Sequence, residues 1–209
     1  MRKTLMLIMA GLAALLVAAS VATSDPNKSV TISASKPVVV YGHTVTLSGK
    51  ITPPATNQKV DIFAQPSGLS TMSAFSSTET TNGGQWSLDV KPTIETLYQA
   101  RVNTETSSTV DVKVRPAITL TLVRMRHRVG TFATTAIAAR AFAGKFVNVQ
   151  RVTSFGSVNL KRVTLDTTSK ATFRVRLSHK RTRLRVVLPT SQAAPGYIAG
   201  FSNVLTVRR

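Results

Sequence analysis

The chain has 209 residues, with 27 Lys and Arg against 8 Asp and Glu and no cysteine. A formal charge of +19 points toward anionic surroundings or partners. The missing cysteines exclude disulfides, thiol catalysis and thiolate metal sites. The charge is uneven: residues 23–116 carry eight basic and seven acidic side chains, whereas residues 117–209 carry seventeen basic side chains and one acid, Asp166.

Residues 1–22, MRKTLMLIMAGLAALLVAASVA, read as a cleavable signal peptide. Arg2 and Lys3 precede an apolar run from Leu5 to Ala19, and Ser20 and Ala22 supply the small residues of a cleavage site. The apolar stretch is too short for a comfortable bilayer crossing, and no second apolar segment follows, so no membrane span is expected after cleavage.

From there the chain runs in short alternating segments separated by turn residues, the pattern of an all-β protein. In the first half, Val30, Ile32 and Ala34 alternate with polar residues until Pro37 breaks the strand. Val45, Leu47 and Ile51 frame the next strand, and Val60, Ile62 and Ala64 the one after Pro53-Pro54. A Ser/Thr-rich stretch leads to Asn82-Gly83-Gly84, a hairpin-type turn because Asn-Gly tolerates positive φ at its central positions. Trp86, Leu88 and Val90 follow, then Tyr98, Ala100 and Val102, then Val110, Val112 and Val114. The phase of Trp86 with Leu88 and Val90 places its ring in the core.

The second half repeats this plan. Val147 and Val149 lie 87 residues after Val60 and Ile62, and Phe173, Val175 and Leu177 lie 87 after Trp86, Leu88 and Val90. Leu184, Val186 and Leu188 lie 86 after Tyr98, Ala100 and Val102. The final strand, Val204 to Val207, is displaced by about 94, so the extra residues fall in the loop Ser191–Ser202, SQAAPGYIAGFS. The alanine-rich segment from Thr131 to Gly144 competes for helix, but its position in the repeat assigns it to a strand. Two domains are therefore expected, 28–115 and 117–209, joined at little more than Pro116, a junction short enough to limit interdomain motion.

The residues of catalysis are missing. No nucleophile elbow, phosphate loop, dinucleotide glycine fingerprint or zinc-binding H-E-x-x-H occurs. His43, His127 and His179 sit at turns or strand ends without a second ligand at metal-binding spacing. The second half holds one acid, so it cannot supply paired carboxylates, and Asp61, Asp89 and Asp111 have out-facing parity. No cofactor and no enzyme activity are expected.

The stretch VTISASKPVVVYGHTVTLSGKITPPATNQKVDIFAQ, Val30 to Gln65, carries a first strand, a Tyr-Gly turn, a V-T-L-S-G strand, a Pro-containing loop and a V-x-I strand. With the Gly84–Pro92 and Thr96–Val102 strands, it resembles the bacterial Ig-like repeat domains of secreted and surface proteins. KRVTLDTTSKATFRVRLSHKRTRLRVVLP continues the likeness in the second half, without the Tyr-Gly turn and the tryptophan. The resemblance implies two immunoglobulin-like β-sandwich domains in tandem after the signal peptide. It implies a secreted or envelope-associated bacterial protein that serves as spacer, stalk or adhesive module, and it implies no specific ligand.

In the basic half, Arg174 and Arg176 alternate with Phe173, Val175 and Leu177, while Arg183 and Arg185 flank Leu184. Period two directs these arginines to solvent, and Lys161, Arg162, Lys180 and Arg181 add strand-end and turn charge. In an Ig-like sandwich the two arginine pairs belong to opposite sheets. The charge then surrounds the domain, which suits diffuse attraction to an anionic envelope polymer or other polyanion and not specific nucleic-acid reading. The other reading of the charge is a solvated arginine-rich surface that reflects genomic composition alone, and the alternative function is a carbohydrate- or protein-binding module that presents Tyr197 and Phe201 from the 191–202 loop.

Overall fold

The computed structural model describes residues 28–208; the signal-peptide reading of residues 1–22 lies outside them. Ten strands come from the first half of the described residues: β1 (Ser29–Val30), β2 (Ser33–Ala34), β3 (Val38–Val40), β4 (Val45–Thr52), β5 (Lys59–Pro66), β6 (Ser73–Glu79), β7 (Gln85–Val90), β8 (Thr96–Val102), β9 (Glu105–Thr106) and β10 (Val110–Arg115). The second half supplies β11 (Ala117–Arg126), β12 (Val129–Ile137), β13 (Phe146–Thr153), β14 (Gly156–Thr164), β15 (Lys170–Arg176), β16 (Arg181–Leu188), the one-turn helix α1 (Thr190–Ala193), β17 (Gly200–Phe201) and β18 (Leu205–Arg208).

Each half packs two sheets face to face. In the first, β1 and β2 both pair with β4, which pairs with β7, while the opposing sheet runs β3-β10-β8-β5-β6. The first strand thus changes sheets where the sequence places Pro37: β2 runs antiparallel to β4, and β3 runs parallel to β10. In the second half, β11-β12-β15 faces a sheet of β14, β13, β16, β17 and β18. The equivalences are β4 with β12, β5 with β13, β7 with β15 and β8 with β16, which reproduces the repeat. The chain is an all-β pair of immunoglobulin-like sandwiches in tandem.

The cores follow from strand parity. Val60 and Ile62 are fully buried, as are Val147 and Val149 at the equivalent positions; Trp86 is 3 % exposed and Phe173 5 %. Trp86 lies across the strand from Gly49, and any side chain at Gly49 would run into the Thr31 carbonyl and the indole ring. The glycine is the space the tryptophan fills. Phe132 and Phe173, paired across β12 and β15, stack with centroids 5.8 Å apart. The alanine-rich segment is strand β12 through Ile137 and irregular beyond it, because its alternate residues Gly130, Phe132, Thr134 and Ala136 are buried.

Two local expectations change. The Ser/Thr-rich stretch is not a connection: it forms β6, an edge strand paired with β5. Its side chains lie mostly in solvent, so no apolar alternation was there to reveal it. The Asn82-Gly83-Gly84 turn forms, with Gly83 and Gly84 at φ 79° and 72°. It closes no hairpin, however, because β6 and β7 belong to opposing sheets.

Truncating Trp86 to alanine removes the largest side chain of the first core against a glycine that cannot compensate. The expected cost is about 3–5 kcal/mol, read by chemical denaturation, and the native indole should emit at blue-shifted, non-aqueous wavelengths.

Candidate functional site

The basic side chains of the second sandwich stand where parity puts them. Arg174 and Arg176 project from β15 between the buried Phe173, Val175 and Leu177, on the three-stranded sheet. Arg183 and Arg185 project from β16, on the five-stranded sheet. Lys180 and Arg181 are exposed where the chain turns from one sheet to the other. Lys161 and Arg162 lie on the edge strand β14.

The edges of the two sheets meet along one side of the sandwich, and there Lys161, Arg162 and Arg174 line a common open groove of about 530 Å³. The sequence separates these residues and the sandwich brings them together. The Arg162 guanidinium also lies 4.0 Å from the centre of the Phe146 ring, an attraction of cation and ring quadrupole that holds its aliphatic stem against the sheet. Arg185 is less free than its parity suggested. Its Nε donates to Gln150 Oε1 at 2.9 Å, and its guanidinium lies 5.3 Å from the Phe201 ring centre.

Among the described residues, no ion pair neutralises this surface. The ion pairs among the described residues are Lys59–Asp61, Lys113–Glu95 and Lys113–Asp111, all in the first sandwich. Asp166 is occupied by its own turn: Oδ1 accepts the N–H groups of Thr168 and Lys170 at 2.8 and 2.9 Å and the Thr168 hydroxyl at 2.8 Å. The Lys170 N–H and the Thr168 hydroxyl hold its carboxyl below the usual carboxylate range. The turn also sets Ser169 at φ 60°, where its hydroxyl oxygen accepts the Phe142 N–H at 2.7 Å. The single acid of the basic sandwich is a folding device.

In the 191–202 loop, Tyr197 does not stand in solvent as the alternative reading expects. Tyr197 is 2 % exposed and is unavailable to a ligand. Its hydroxyl donates to the Thr93 carbonyl of the first sandwich at 2.7 Å and accepts the Ala139 N–H of the second at 3.1 Å. The Glu95 N–H donates to the Gly196 carbonyl at 2.9 Å, the Ile198 N–H to the Val114 carbonyl at 3.0 Å, and Arg115 Nη1 to the Ala199 carbonyl at 2.6 Å. Gly196, at φ 78°, packs so closely on Ile94 that a Cβ would collide with it. Phe201 remains 43 % exposed, with the Arg115 and Arg185 guanidiniums beside its ring. A loop rich in Gly, Ala and Pro suggested exposure. It is instead small because it must fit between two sandwiches.

Arg140 was not singled out from the sequence. Its Nη2 donates to the carbonyls of Ala193, Ala194 and Pro195, and its guanidinium lies near the Phe142 and Tyr197 rings. Its only sequence signal is that it is the one charge in an alanine-rich stretch. The histidines are exposed, and no group of three or more His, Cys, Asp or Glu among the described residues could hold a metal.

Replacing Tyr197 with phenylalanine removes both hydrogen bonds and leaves the Thr93 carbonyl without its donor. The expected loss is about 1–2 kcal/mol, measured by chemical denaturation of the two-sandwich chain. The Asp166 turn gives a pH signature. Its folded carboxyl titrates below the unpaired value of ~3.9, so the turn's stabilisation is complete above that pH and is lost as pH falls through the folded value. Melting temperature followed downward from about pH 6 should therefore drop more steeply in the native chain than in Asp166→Asn.

No protein-family pattern matches the chain, and no curated protein does. Among solved structures, the chain is similar to a tetra-tandem repeat in the extending region of a large adhesion protein, at 15 % identity and a TM-score of 0.35, over 87 % of this chain and 49 % of that one. It is also similar to a mutant Salmonella alpha-2-macroglobulin, at 14 % identity and a TM-score of 0.32, over 88 % of this chain and 14 % of that one. The chain thus spans about half the length of the first structure and a small part of the second.

Proposed function

We propose that the protein is an exported, non-enzymatic module of two coupled sandwiches, held on an anionic cell-envelope polymer by its second sandwich. The observation that carries this reading is the unneutralised basic surface: residues 117–209 bring seventeen basic side chains and one acid, and that acid is tied into its own turn. The near-neutral first sandwich, fixed to the second through the Tyr197 loop, then serves as a spacer that projects outward.

Charge on both sheets and in the groove between their edges suits a flexible polymer that can wrap, and among the described residues no flat aromatic platform for base stacking accompanies it. Binding of this kind releases counterions and weakens steeply with salt, by roughly one power of concentration for each phosphate neutralised on DNA-like chains. A phosphodiester polymer such as a teichoic acid has the required chemistry.

The test is retention of the full mature chain on immobilised phosphodiester polymer across a salt series. Reversing Lys161, Arg174 and Arg176 to glutamate should weaken retention by ~10-fold or more and flatten its salt dependence, with the circular dichroism unchanged. Single changes, such as Arg174→Ala, should have small effects. Retention indifferent to salt, or unchanged in the triple variant, would leave these side chains as solubilising surface.

A further inference from the structure

At the end of the second sandwich remote from the 191–202 loop, two neighbouring strands part. β13 pairs with β16 from Asn148↔Val187 to Arg151↔Leu184 and no further. Beyond that point β13 continues with β14 to Thr153↔Gly156, while β16 continues with β18 to Arg181↔Arg208. The divergence opens a cleft of about 440 Å³, and Arg151, Thr153, His179, Arg181, Thr182 and Arg183 contribute to its walls.

Arg151 has the wrong parity for a surface arginine. Its cross-strand partner, Leu184, is fully buried, so Arg151 leaves β13 on the core side, at the open end of the sandwich. Its Nη1 lies 2.7 Å from His179 Nε2. A guanidinium can only donate, so the imidazole accepts at Nε2 and carries its proton on Nδ1. Arg151 Nε is buried without a hydrogen-bond partner, and so is the Thr182 hydroxyl, on a residue 4 % exposed. Buried donors are rarely left unpaired, and here both belong to residues lining one cleft beside two further guanidiniums. Asp166, the one acid of this half, is committed to its turn.

We propose that this cleft is a discrete oxyanion site that takes a tetrahedral phosphate group, with Arg151 as its inner ligand, Thr182 and His179 as its polar wall, and Arg181 and Arg183 at its mouth. Three guanidiniums and a hydroxyl offer more donors than a flat carboxylate can use, and a phosphate with three free oxygens can accept from several of them at once. This deepens the polyanion reading and rests on it for the biological source. A terminal phosphomonoester of the envelope polymer would seat here while the rest of the chain runs over the diffuse basic surface.

The test titrates the full mature chain with inorganic phosphate at constant ionic strength, following the side-chain NMR signals of Arg151 and His179, with methyl phosphate and dimethyl phosphate as further arms. Inorganic phosphate and methyl phosphate should bind saturably, and dimethyl phosphate, with two of its oxygens blocked, more weakly. Arg151→Met and His179→Ala should each weaken binding by ~10-fold, the scale of one charge-assisted hydrogen bond. His179 is exposed, so its replacement does not threaten the fold, and Arg151→Lys checks that the position tolerates substitution. The triple variant of Lys161, Arg174 and Arg176 should keep most of the small-anion affinity. Absence of saturable binding, or an equal loss in the triple variant, overturns the site even if salt-dependent polymer retention stands. Saturable phosphate binding without polymer retention would keep the site and remove its proposed biological source.

Discussion

In a β-strand successive side chains leave on opposite faces, so each position the core claims sends its neighbours outward. In β15 and β16 the core claims Phe173, Val175, Thr182, Leu184 and Val186, and the positions between them are arginine. Packing and surface charge are therefore one constraint: the alternation that buries the apolar residues of the second sandwich also distributes its guanidiniums over both sheets. A one-residue slip of either strand would bury those guanidiniums and expose the core. With so many like charges, the sandwich has strong reason to keep its register.

The junction between the sandwiches depends on the extra length of one loop. Four strands correspond between the repeats, β4, β5, β7 and β8 with β12, β13, β15 and β16, but the second repeat has a longer segment, 191–202, before its last strand. That segment folds back on the first sandwich through backbone hydrogen bonds to Glu95 and Val114 and the Tyr197 contact with Thr93. Arg140 holds it from the other side by drawing three successive carbonyls onto one guanidinium. The close approach needs Gly196 against Ile94 and Gly200 against Pro116 and Ile118, where any side chain would crowd its neighbours. Pro116 is itself buried, so the linker is part of the packed junction.

Electrostatically, the two sandwiches follow opposite strategies on the same scaffold. The first pairs Lys59 and Lys113 with neighbouring carboxylates, contacts worth little stability at exposed positions but enough to keep its field small. Among its described residues the second pairs no base with an acid, and aromatic and amide partners, such as Phe146 for Arg162 and Gln150 for Arg185, orient a few of the bases. A surface so arranged costs some self-repulsion in the absence of anions, and that cost is relieved when anions bind.

The sequence alone determined the features that depend on neighbours along the chain. The alternating Val, Ile and Leu positions place the strands, and their spacing reveals the repeat. Pro37 marks the change of sheet, and the parity of Trp86 and of Arg174, Arg176 and Arg183 separates inside from outside. What only the tertiary structure decided depends on residues that meet from distant parts of the chain. β6 was invisible because an edge strand with little buried surface has no hydrophobic period. Tyr197 read as exposed because small, flexible neighbours suggest a free loop, and nothing in its local sequence encodes the Thr93 carbonyl over a hundred residues away. Arg151 carries no signal in the sequence, and only the divergence of β13 and β16 sets it on the core side without a partner for its Nε. Periodicity is a local property, whereas burial at a domain junction or a strand divergence belongs to the assembled sheets.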